Sequence, residues 1–179
     1  MKPAKILEYF ILAFVVTIMN SCTTALQVGE MIPYIDYSAF TSTDKTIKVQ
    51  KVYGGELTSP MGMSKIESKS FQDALVTTLK KSGIFKEVFI DRSGDYELKT
   101  QIVSQKMESW LAATNVTLFV HYRLFETKRN KEVWSESLLS QYDTDNLNKK
   151  AHPNEGAVRD NLTQLLKKLA DFMNKLNKK

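Results

Sequence analysis

The chain has 179 residues, 42% of them hydrophobic and 25% charged, with a net charge of +5 and a single cysteine. This balance of apolar and charged residues is that of a globular protein and excludes a largely disordered chain. The length allows one domain with a real core, and one cysteine excludes an intrachain disulfide, so that core must stand on packing alone.

The first element is a leader. Lys2 and Lys5 precede an apolar run from Phe10 to Met19, and the small residue Ser21 stands just before Cys22. A basic start, a short apolar run and a small residue at the cut make a secretory signal. The apolar run is about half of the ~20 residues that span a bilayer, which argues against a permanent transmembrane helix. A cysteine at this place resembles the lipobox of bacterial lipoproteins, in which the thiol receives a diacylglycerol group and becomes the first mature residue. Met19 stands where the lipobox usually carries Leu, and Asn20 and Glu8 also depart from the pattern. The resemblance implies that residues 1–21 are a signal peptide, that Cys22 is lipidated, and that the membrane is a partner through this anchor. Thr23, rather than Asp, follows the cysteine. That implies sorting to the outer membrane, facing the periplasm, where nucleic acid is a poor partner.

Residues 23–45 are polar and aromatic without a clear period, and with Cys22 they read as a lipidated tether over 22–45. A single domain is expected over 46–179. Ile47, Val49 and Val52 predict a strand from Thr46 to Tyr53, ended by Gly54-Gly55. Ser64-Lys65-Ile66-Glu67 fits a capping box. Phe71, Ala74, Leu75, Thr78 and Leu79 then recur at helical spacing up to Gly83. A short strand is expected from Phe85 to Asp91 and another from Tyr96 to Ile102, where buried and polar residues alternate. Residues 115–140 predict a hairpin turning at Lys128 to Lys131. A last helix starts near Glu155, with Leu162, Leu165, Leu166, Leu169 and Met173 in one broad apolar stripe. The order β-α-β-β-β-β-α predicts an α+β fold: an antiparallel sheet of about four to five strands with two helices packed on one face. The opposite face is left either to water or to binding. Trp110, Leu111, Phe119 and Phe125 could make an apolar patch there, or a second small core beneath the N-terminal segment.

Signals for chemistry are few. His121 and Arg123 share one face of a strand, and His152 precedes Pro153 in a loop, with no second histidine or cysteine at ligand spacing. No phosphate loop and no nucleophile elbow is present, so no catalytic residue, metal or cofactor is assigned. Lys167, Lys168, Lys175, Lys178 and Lys179 read as a solvated helix end with cations placed favourably for its dipole. At the entry of the last helix, Asn154 is a candidate cap, and Glu155 suits the positive end of the dipole. Arg159 stands beside them. These three are the candidate partner-binding residues, with Arg159 reaching a carboxylate or a lipid phosphate, or else forming a surface ion pair.

Two segments carry a wider likeness: Thr58-Ser59-Pro60-Met61-Gly62-Met63-Ser64-Lys65-Ile66 running into Phe71 to Phe85, and Asn154-Glu155-Gly156-Ala157-Val158-Arg159. Over roughly residues 46–175 they resemble an uncharacterised family of small proteobacterial lipoproteins. The helix-Gly-Ile-Phe-strand passage also looks like auxiliary lipoproteins of ABC-type transport systems, and is similar to amino-terminal domains of TolB and to curli-secretion proteins. The resemblance implies a lipid-anchored, non-catalytic envelope protein that supports a transport or assembly system by binding an envelope protein partner. A periplasmic lipid- or glycan-binding protein is the alternative. An acyltransferase for UDP-N-acetylglucosamine, a label some such relatives carry, comes third: that class resembles a β-helix of hexapeptide repeats, and no such period is present.

Overall fold

The computed structural model describes residues 26–56, 65–110, 113–144 and 152–177. The leader, Cys22, Ser64, the stretch from Thr58 to Met63, Leu111, Lys178 and Lys179 lie outside the described residues, as does the side chain of Trp110.

Five strands form one sheet: β1 (Thr46–Val49), β2 (Glu87–Phe89), β3 (Tyr96–Trp110), β4 (Ala113–Glu126) and β5 (Lys131–Asp143), in the order β2-β1-β3-β4-β5. The α+β class and the chain order of these elements are as the sequence predicts. The sheet is antiparallel over β3, β4 and β5, whereas β1 pairs in parallel with both β2 and β3, which makes the whole sheet mixed. A helical crossover between β1 and β2 is what permits parallel pairing, where a hairpin would enforce the antiparallel kind.

The turn from β2 to β3 is fastened over the start of β1. Thr46 donates its backbone N–H and its hydroxyl to one Asp95 carboxylate oxygen, both at 2.9 Å, and the Asp95 N–H donates back to the Thr46 hydroxyl. Those two bonds from Thr46 hold the Asp95 carboxyl below the usual carboxylate range. Beyond β1 the chain makes one more bridge, Tyr53 to Gln101, and then turns at Gly54. Gly54 has φ +86°, and a Cβ there would lie 1.9 Å from the Ile102 carbonyl oxygen, so only glycine fits. Opposite it, β3 bulges between Ile102 and Ser104, which turns Val103 outward.

Helix α2 (Ser68–Ser82) and helix α3 (Pro153–Asn177) cover one face. The apolar stripes of the sequence are the buried ones: Leu75, Leu79, Leu165 and Leu169 are all fully buried. Helix α2 ends at Gly83 in the left-handed conformation, as its position after Lys80-Lys81-Ser82 predicts. Its start differs from the expected capping box. Glu67 is the cap residue without a side-chain bond, and the Ser68 hydroxyl instead accepts from the Gly55 N–H at 2.9 Å. Helix α3 also begins earlier than expected, at Pro153, whose fixed φ and missing N–H suit a first helical position. Asn154 is therefore inside the first turn and is not the cap.

The interface between α3 and the sheet contains one polar network. Tyr122, fully buried, donates to Asn161 Oδ1 at 2.7 Å, and Asn161 Nδ2 donates to the Leu138 carbonyl at 3.1 Å. Ser140 donates to the Ala157 carbonyl at 2.9 Å. Burial raises the Tyr122 phenol well above its ordinary range, so it stays a donor. Asn161 belongs to an Asn-Leu-Thr sequon, yet it is wholly buried in this network.

Residues 26–45, expected as tether, are packed. A short helix α1 (Val28–Met31) lies against α2 and α3, followed by a single 3-10 turn at Tyr37–Ala39. Met31 is fully buried, and Leu26, Val28, Ile35 and Phe40 pack against the core. This strap lies on the helix layer, so the alternative of a second core beneath it on the other sheet face does not arise.

Candidate functional site

Two places gather polar side chains. At the entry of α3, Glu155 holds two separate backbones. One oxygen accepts from the His152 N–H at 3.2 Å, the reach-back of a capping box from the third helical position. The other accepts from the Gln27 N–H at 2.6 Å and so fixes the strap. Arg159, one turn on, donates to the Glu30 carbonyl at 3.2 Å. Its guanidinium lies 5.0 Å from the Tyr34 ring centre and 5.9 Å from that of Tyr142. Tyr34 in turn donates to Glu30 at 2.6 Å, and that bond, with the Glu30 charge, raises the Tyr34 phenol. Gly156 admits the Tyr142 ring, since a Cβ there would stand 2.5 Å from it.

The three candidate residues read from sequence are thus brought together, but differently disposed. Asn154 and Glu155 are buried beneath the strap, and Arg159 is half-buried. The use of Glu155 as a clamp on residue 27 was not visible in the sequence, because 128 residues separate the two.

The second place is the sheet face that the helices leave open. Glu97, Lys99 and Gln101 of β3 project there, with Phe125, Arg123 and His121 directly opposite on β4. Glu97, Lys99, Gln101, His121 and Arg123, with Gln50, Lys51 and Tyr53 from the segment after β1, line an open trough of about 500 Å³. The side chains of Phe119 and Phe125 do reach this face, but charge interrupts the expected apolar patch. Lys99 Nζ lies 4.4 Å from the Phe125 ring centre and the Arg123 guanidinium 5.8 Å from it. His121 Nδ1 is 2.8 Å from the Ser137 hydroxyl. Gln50 donates to Glu97. Lys99 and Arg123 form a directly opposed like-charge pair, and among the described residues neither has an acidic partner within ion-pair distance.

Among the described residues no three His, Cys, Asp or Glu side chains converge on a possible metal position. No helix among them is long and apolar enough to cross a membrane.

No family model and no curated protein matches the chain. Solved structures do. A Xanthomonas campestris protein described by the DUF330 family model is 14% identical, with a TM-score of 0.63 over 83% of this chain and 95% of that one. A hypothetical protein from Chlamydia trachomatis is 12% identical, with a TM-score of 0.56 over 73% of this chain and 98% of that one. A PelC dodecamer from Paraburkholderia phytofirmans is 13% identical, with a TM-score of 0.53 over 72% of this chain and 92% of that one. At these identities the likeness is one of fold, and it extends over most of the domain.

Proposed function

We propose that the protein is a lipid-anchored, non-catalytic component of the cell envelope. It stands at the outer membrane facing the periplasm and serves as an accessory or docking part of a transport or assembly system. The observation that carries this reading is Cys22, directly after a basic and apolar leader and four residues before Leu26, which packs against the core. A fold shared with the DUF330 protein and with a subunit that assembles as a dodecamer is in keeping with a docking role. Docking uses the end of the domain where the strap crosses α3, with Arg159 and the exposed ring of Tyr34 as its accessible groups. Glu155 acts there by holding the strap.

Radiolabelled palmitate tests the anchor: label is expected on the wild-type chain and absent from Cys22→Ser. Equal labelling of both, or none on the wild type, would end the lipoprotein reading. Affinity purification from membranes tests the docking. Arg159→Ala is expected to lose an envelope partner while retaining its melting temperature. Loss of stability with the partner retained would make Arg159 purely structural.

A further inference from the structure

We infer that the trough on the open sheet face is a binding site for a phosphate ester. Like charges directly opposite on a sheet destabilise it, yet Lys99 and Arg123 occupy such a pair. Glu97, the one carboxylate lining the trough, accepts from Gln50 and has no ion-pair contact with either cation. Both cations lie against the Phe125 ring, which keeps them on the face. Lys51 completes the lining charge: three cations against Glu97 leave an excess of two positive charges in about 500 Å³. A phosphate monoester carries about −1.5 to −2 at neutral pH, which matches that excess. A planar guanidinium donates to two phosphate oxygens side by side, while lysine supplies point charge. Gln101 and the exposed Tyr53 stand at hand for the organic part of the ester. Helices cover the other face of the sheet, so nothing among the described residues competes for this one.

The phosphate could belong to a soluble ester or to a lipid headgroup, and titration separates the two. The full lipidated chain in a neutral detergent is titrated with glycerol phosphate and, separately, with dihexanoyl phosphatidic acid. Binding of both would support the site with a free ester as sufficient ligand. Binding of the lipid alone would support the site with a headgroup as its source. In either case Lys99→Gln and Arg123→Gln should each weaken binding about tenfold, the effect of one charged hydrogen bond. Added salt should weaken it further. Glu97→Gln should tighten it. Melting temperatures check that the variants fold, and Lys51→Gln, outside the strand pair, gives the same test should either strand variant fail. No binding of either probe at low salt, or binding that these substitutions leave unchanged, would overturn the proposal.

Discussion

The two faces of the sheet treat polar groups in opposite ways, although neighbouring residues of the same strands build them. Tyr122 points under α3, and its hydroxyl is tied into a closed network with Asn161. Arg123, the next residue, points outward and stands opposite Lys99, and among the described residues no acid lies within ion-pair distance of either. The contrast follows from water. A buried polar group without a partner costs free energy, and on the covered face Tyr122, Asn161 and Ser140 are matched, with the Thr78 and Thr100 hydroxyls as unmatched exceptions. The open face has solvent to screen its charges, and unmatched cations can persist there. The covered face therefore reports on stability, and the open face on what the protein meets.

The covered face offers the largest effects. Leu165→Ala or Leu169→Ala should cost ~2–5 kcal/mol through lost transfer and cavity formation, measured by denaturant unfolding. A loss below about 0.5 kcal/mol at both would mean that the stripe does not pack on the sheet, and the contrast between faces would collapse. Tyr122→Phe sharpens the comparison without opening a cavity. It strands the Asn161 oxygen and should cost about 1–3 kcal/mol. An unchanged melting temperature would show that the network carries no weight. Glu155→Ala removes the acceptor of two N–H groups at once, and about 1–2 kcal/mol of stability should be lost. Hydrogen exchange should rise at Gln27 in the same variant. If exchange there stays slow, the strap is held by Met31 and its apolar neighbours instead. The smallest effect has the opposite sign. Lys99→Gln or Arg123→Gln should raise stability by about 0.2–1 kcal/mol in low salt by relieving the opposed pair. A loss at either position would assign these cations to the fold rather than to a ligand.

Much of the fold was legible because alternation and helical spacing report burial directly. The strands and both long helices fall in the segments that Val49, Leu98, Val120, Leu75 and Leu165 mark, although β1 ends at Val49 rather than Tyr53 and β3 runs past Ile102 to Trp110. Strand neighbours were less legible. Nothing in Thr46–Val49 says that it pairs in parallel on both sides, since that depends on the crossover through α2 and on the turn fastened by Asp95. The packing of the strap is not legible in the sequence because its buried residues, Met31 and Pro33 among them, follow an irregular path and show no period. At the candidate sites, the shared face of His121 and Arg123 was readable from their spacing of two. That Lys99 faces Arg123 was not, because it needs the register of β3 on β4. Likewise the sequence pointed to Glu155 as a residue suited to a helix start, but not to its second hold on Gln27.

The packed strap also sets how far the domain can roam. With a lipid on Cys22, only four peptide steps separate the anchor from Leu26, a reach of roughly 14 Å at full extension. That is a short leash. A flexible linker of many tens of residues would let a domain search the depth of the periplasm. An anchor at Cys22, as proposed, would keep the domain within about its own radius of the bilayer. The helix layer, where the strap packs, would then be the tethered side, while the trough opens from the opposite face of the sheet. A partner in the same membrane would meet a protein so anchored at a high local concentration and within a narrow range of angles, which favours binding without any additional contact.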